Sequence, residues 1–70
     1  MSGYAVVIEQ ADGNLSAYVP DLPGCVATGS TEREVRSNIA EAIRLHLESL
    51  HTHGEPVPPP TSTTASVEVA

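Results

Sequence analysis

The fold of this chain is decided by residues 31–50, TEREVRSNIAEAIRLHLESL. Thr31 and Glu34 match a capping box, in which the threonine side chain caps the first helical turn and the glutamate reaches back. Apolar residues then recur at helical spacing and form one stripe, namely Val35, Ile39, Ile43, Leu47 and Leu50. Gly54 predicts where the helix stops. The stretch therefore predicts one amphipathic helix whose stripe packs on a sheet.

Three strands are predicted before this helix. Residues 4–10 are apolar on both faces, which is typical of a strand at the centre of a sheet, or of one covered by a helix and a second subunit. An Asp-Gly pair predicts the turn into a second strand over residues 15–19. A short third strand is predicted over residues 25–28. The three strands would form an antiparallel meander.

The segment after the helix predicts a connection and a final strand. Residues 55–64 are rich in Pro, Ser and Thr, and so many prolines exclude a helix or a central strand. Residues 65–69 alternate between apolar and polar, so we predict a last strand, with a frayed tail as the alternative. A right-handed crossover would bring it parallel to the first strand. The predicted class is α+β with the order β-β-β-α-β, in a single domain over residues 1–70.

Charge and composition exclude several classes of function. The 70 residues carry nine acidic and three basic side chains, a formal net charge of −6. Phosphate backbones repel such a surface, so no direct nucleic-acid binding is expected. The charge serves either solubility or steering toward a basic partner, and composition alone does not choose. The start lacks a signal-peptide pattern and no apolar run could cross a membrane, so we expect a cytoplasmic protein.

Few residues could carry chemistry. Cys25 is the only cysteine, which excludes a disulfide within the chain and favours a packing role. His46, His51 and His53 fall on different sides or at the frayed end of the helix, so a zinc site is not expected. The carboxylates do not converge. We predict no metal, no cofactor and no enzyme; a small metal-dependent hydrolase that uses the histidines is the alternative.

The predicted binding features are surfaces. Asp21, Leu22, Pro23 and Gly24 form a compact turn that we expect to set the angle between the second and third strands, or to contact a partner. The helix covers one face of the sheet, so the other face stays partly apolar and is expected to be a protein interface. We therefore predict a homodimer or a higher oligomer, formed through that face or through sheet edges.

Several motifs together resemble one family. They are YAVVIE (4–9), YVPDLPGC (18–25), Gly29-Ser30-Thr31 with Glu34, NIAEAI (38–43) and GEPVP (54–58). In this combination the chain resembles the HicB-like antitoxin family. The resemblance implies a partial ribonuclease-H-like fold without nuclease activity. It also implies the antitoxin role in a type II toxin–antitoxin pair, whose partner HicA is a small basic RNA-cleaving toxin.

The chain departs from the family pattern in one respect. Many HicB proteins carry a C-terminal DNA-binding module, and the 70 residues contain no matching segment or basic arm. Repression by direct DNA contact is therefore not expected. The alternative to a toxin-neutralising protein is a solitary HicB-like oligomer with a regulatory or structural role.

Overall fold

The computed structural model describes residues 3–70 and contains three strands followed by one helix. The strands are β1 (Val7–Ala11), β2 (Asn14–Tyr18) and β3 (Val26–Gly29), and the helix is α1 (Glu32–Thr52). Both strand pairs are antiparallel, and the strand order in the sheet is β1-β2-β3. The α+β class and the predicted meander are confirmed.

The helix begins where the capping box predicts. The backbone N–H of Glu34 donates to Thr31 Oγ1 at 3.1 Å. The Glu34 carboxylate in turn accepts from the backbone N–H of Ser30 at 2.7 Å, one residue before the cap. The first bond satisfies a backbone donor that the first helical turn would leave unpaired, and the second fixes the chain that enters the helix. Local side-chain chemistry sets this end of the helix.

The core lies between the helix and the sheet, and α1 packs mainly on β2 and β3. The buried residues are Ala17, Val19, Leu22, Cys25, Val35 and Ile39. Four residues of the predicted stripe face the core, since Val35 and Ile39 are buried and Ile43 and Leu47 pack against the cluster; Leu50 lies outside it. The Asn38 side chain also donates to the Thr28 carbonyl at 2.8 Å, which ties the helix to β3.

The first strand is shorter than predicted and lies elsewhere in the sheet. It begins at Val7, which pairs with Tyr18, and the same register would place Pro20 opposite Ala5. Proline has no N–H to donate, so the ladder ends there. The apolar sequence of β1 predicted a central strand, but β1 is an edge strand, because no fourth strand lies beside it in the described residues.

The predicted last strand is not confirmed in the described chain. Residues 55–64 form neither helix nor strand, and residues 65–69 also lack strand pairing. Val67 and Val69 are 81% and 87% exposed. An anchor holds the chain beside the turn after β2, at residues 61–62. Alternation gives residues 65–69 the capacity to pair, but in the described chain they lie beside no strand, and the β1 edge stays open.

Candidate protein interface

The sheet face opposite the helix carries an apolar row across all three strands. Val7 pairs with Tyr18, and Tyr18 pairs with Val26. Directly paired residues project to the same side of a sheet, so the three side chains are neighbours. Val26 is 63% exposed and Tyr18 is 41% exposed. We call this side, with Val7, Tyr18 and Val26, the uncovered face.

The next row of the uncovered face is polar and acidic. Glu9 pairs with Ser16, and Ser16 pairs with Thr28. Side chains alternate along a strand, so the neighbours of Glu9 and Ser16 in β1 and β2 project to the side of the sheet that faces the helix. An apolar row beside a polar row with one carboxylate is typical of a protein-binding surface.

The positively charged arginines are confined to the helix. All three arginines lie in α1, where Arg36 pairs with Glu32 at 3.0 Å. Arg44 pairs with Glu41 and Glu48 and lowers the pKa of Glu41 by hydrogen bonding and charge.

The sheet and the connections have no arginine or lysine of their own. Outside the helix, in residues 3–31 and 53–70, the only basic side chain is one histidine. The same residues carry five carboxylates, which are Glu9, Asp12, Asp21, Glu55 and Glu68. The part of the described chain outside the helix is therefore negative, and it would attract a basic partner.

The predicted turn after β2 has a well-defined geometry. The backbone N–H of Cys25 donates to the Leu22 carbonyl at 3.0 Å, and Gly24 has a φ of 85°. Proline followed by a left-handed glycine is the pattern of a type II turn. Leu22 is fully buried, whereas Pro23 and Gly24 are exposed. Leu22 therefore links this turn to the core; direct partner contact by the turn stays a prediction.

Asp21 binds the segment that follows the helix. Its Oδ2 accepts the backbone N–H groups of Thr61 and Ser62 at 3.0 and 2.9 Å. Its Oδ1 accepts the hydroxyls of the same two residues, both at 3.0 Å. Nearby, the Tyr4 hydroxyl donates to the carbonyl of Pro58. We call the contacts of Asp21 with residues 61–62 the Asp21 anchor.

Sequence reasoning singled out Asp21 but missed its two partners. Thr61 and Ser62 lie 40 and 41 residues further along the chain, where a Ser/Thr-rich stretch predicts only a connection. Local patterns carry no signal for such a contact. The four bonds favour the ionised carboxylate and lower the pKa of Asp21: the Ser62 N–H contributes most to this lowering, against a smaller opposing effect of desolvation.

Removing the Asp21 carboxylate is expected to release the connection. In D21A, the amide signals of Thr61 and Ser62 in NMR spectra should move to random-coil positions. In D21N they should stay near native, because the amide oxygen can accept both N–H groups while its NH₂ donates to the hydroxyls. D12A, which removes a carboxylate at the other end of β2, is the control and should change neither signal.

The anchor should also respond to pH in a defined direction. Because the pKa of Asp21 is lowered in the folded chain, the anchor is strongest at neutral pH and weakens as the pH falls below the ordinary carboxyl range, near about 4. D21N should abolish this response. An acid titration that moves the Thr61 and Ser62 signals equally in both proteins would contradict the assignment.

A comparison with family models identifies the relatives of this chain. Residues 4–69 match the model described as the HicB_like antitoxin of bacterial toxin-antitoxin system. The chain belongs to the HicB-like antitoxin family. The HicB-like chain is 46% identical over 56 residues to a UPF0150 protein of Thermoplasma acidophilum, covering 79% of this chain and 81% of that protein. It is 45% identical over 56 residues to a UPF0150 protein of Synechocystis, covering 79% and 71%.

A solved structure shares the HicB-like fold. The chain matches one chain of a structure described as the HicA3 and HicB3 toxin-antitoxin complex, with a TM-score of 0.74 and 33% sequence identity. The match covers 84% of this chain and 70% of the other. The resemblance proposed from the motifs is therefore confirmed.

His53 of the HicB-like chain has a structural role at the end of α1. His53 is the C-cap residue of α1, and its Nδ1 lies 2.7 Å from the Ser49 carbonyl, to which it donates. A histidine at this end also suits the helix dipole. Within residues 3–70, no three His, Cys, Asp or Glu side chains are grouped so that they could hold a metal ion.

Cys25 belongs to the core of the HicB-like chain. Its side chain is buried in the cluster beneath the helix, and burial raises the pKa of the thiol. A buried protonated thiol packs as a small apolar group and is a poor nucleophile. In the part of the chain that the structure describes, no helix has the length and apolar character needed to span a bilayer.

Proposed function

We propose that this chain is the antitoxin of a type II toxin–antitoxin pair and that it binds and neutralises a basic, mRNA-cleaving toxin of the HicA type. The observation that carries the proposal is the similarity in fold, with 33% sequence identity, to a chain of a HicA3–HicB3 complex. The family model supports the antitoxin side of such a pair. Because the toxin's target is mRNA, we place this activity in the cytoplasm.

The uncovered face is the surface we propose for the toxin. It combines an apolar row with Glu9, and the three strands carry no arginine or lysine. A protein that cleaves RNA must attract phosphates, and it does so with Lys and Arg. An acidic, partly apolar surface can pair with those side chains and desolvate them, and it thereby occupies the place of the RNA.

Co-expression tests the antitoxin role directly. The toxin is sought as a short basic reading frame beside the gene, and it is expressed alone and together with this chain. We expect the toxin alone to stop growth, and the pair to grow and to co-purify. Toxin that remains active and unbound in the presence of folded chain would reject the role and favour the solitary, oligomeric alternative.

A substitution on the uncovered face is expected to weaken toxin binding strongly. V26K places a positive charge in the apolar row, where it would face the basic toxin and lose its hydration. The loss should be at least roughly 2 kcal/mol, or about thirtyfold in Kd, as for a central interface residue. Titration calorimetry with a catalytically inactive toxin measures it.

The matched control is V57K, which makes the same change at a 48% exposed valine in the connection. Both variants change the net charge equally, and circular dichroism should show that both stay folded. We expect V57K to bind nearly as the wild type. Equal affinities of V26K and V57K would move the toxin site off the uncovered face.

A further inference from the structure

The two edges of the sheet differ in their protection. The β3 edge lies under the helix, and Asn38 donates to the Thr28 carbonyl on that strand. The β1 edge has no neighbour in the described chain. Unpaired strand edges are templates for another strand, and proteins usually cover or charge them. The β1 edge is therefore the place where the sheet can be extended.

An open apolar groove runs along the β1 edge. Because α1 lies over β2 and β3, the helix-facing side chains of β1 are covered on one flank only. The groove has a volume of about 320 Å³ and is lined by Val6, Ile8, Arg36, Ile39, Ala40 and Ile43. Apolar side chains of an added strand would complete the core at this position.

The same chain carries a segment with the pattern that this groove requires. Ala65, Val67 and Val69 would share one face of an extended strand, and the two valines are among the most exposed side chains of the molecule. The Cα radius of gyration is 13.4 Å, whereas about 11 Å is usual for a compact chain of this length. The segment thus stands away from the body.

The Asp21 anchor fixes the start of this segment. With Thr61 and Ser62 held by four hydrogen bonds, residues 63–70 leave the domain from a defined point. Docking such a segment costs less entropy than ordering a chain that is free from the helix onward. The anchor therefore presents residues 65–69 to another molecule.

We propose that two copies of this chain exchange these segments, with residues 65–69 of each copy adding as a strand to the β1 edge of the other. Val67 and Val69 fill the groove beside Val6 and Ile8, and Glu68 faces the opposite side. The exchange is two-fold symmetric, so one contact formed twice closes the dimer. It turns β1 into an interior strand, which accounts for its apolar sequence on both faces.

Light scattering coupled to size-exclusion chromatography tests the exchange on the purified chain, without any toxin. We expect a mass twice the 7.3 kDa of one chain. V67P removes a ladder donor and should yield the monomer. A70P places the same residue just beyond the proposed strand and should leave the dimer intact. Helical circular dichroism should be equal in all three, since residue 67 makes no contact that the isolated fold requires.

Hydrogen exchange distinguishes this dimer from the other arrangements. We expect the backbone amides of Val67 and Val69 to be protected from exchange in the wild-type dimer. In V67P, the amide of Val69 should be unprotected. A monomer, with or without protected amides in residues 65–69, overturns the proposal, and so does a dimer that survives V67P. Because toxin plays no part in these measurements, their failure leaves the proposed antitoxin function standing on its own test.

Discussion

Replacing Leu22 with alanine is expected to lower the free energy of unfolding by about 3 kcal/mol. Leu22 is fully buried at the centre of the core cluster, and the turn that holds it is closed by its own carbonyl. A chain of 70 residues has roughly 4–10 kcal/mol of stability in total. The substitution therefore removes a large share of it, and the melting temperature should fall by about 12 °C or more.

Urea and thermal unfolding followed by circular dichroism measure this loss. L45A is the matched control, because Leu45 is 50% exposed on the outer side of α1 and alanine is a strong helix former. We expect L45A to unfold nearly as the wild type. Similar midpoints for L22A and L45A would show that the turn does not insert its leucine into the core.

Replacing Gly29 with alanine should be the second large effect, at about 2 kcal/mol, because the extra carbon has no space. A Cβ at this position would lie 2.6 Å from the backbone nitrogen of Val35 and 2.9 Å from its Cα. Backbone atoms of a capped helix cannot rotate away as a side chain can. The first turn of α1 would have to move off β3, and the packing of Val35 would be lost with it.

The control for this variant is G3A, where an added Cβ meets no atom within 4 Å. Both variants make the same chemical change, and neither glycine has a positive φ, so the comparison isolates the contact with the helix. We expect the midpoint of G3A to stay close to the wild type. A G29A protein as stable as G3A would refute the close approach of β3 and α1.

Local signals in the sequence were enough to predict the helix and the turn after β2. Thr31 and Glu34 are three residues apart and satisfy the same helical turn. Pro23 and Gly24 are adjacent; proline suits the second position of a type II turn, and Gly24 has the positive φ that its third position requires. Because the interacting groups are close in sequence, these structures follow from a few neighbouring residues.

The uncovered face was only half determined in this way. The single predicted helix implied that one side of the sheet would stay uncovered, but a strand period of two does not say which residues lie on that side. Val7, Tyr18 and Val26 come together because the register of three strands aligns them. Tertiary pairing therefore decided which residues form the candidate interface.

The sequence by itself determined a capped helix, three strands and a family of antitoxins. Tertiary structure alone decided the Asp21 anchor, whose partners are 40 and 41 residues away. It also decided whether residues 65–69 pair with a strand. Alternation shows that this segment can pair, but a strand has the same pattern whichever edge accepts it. The partner of a strand is set by which edges remain open after the core has packed, and in this chain the open edge is β1.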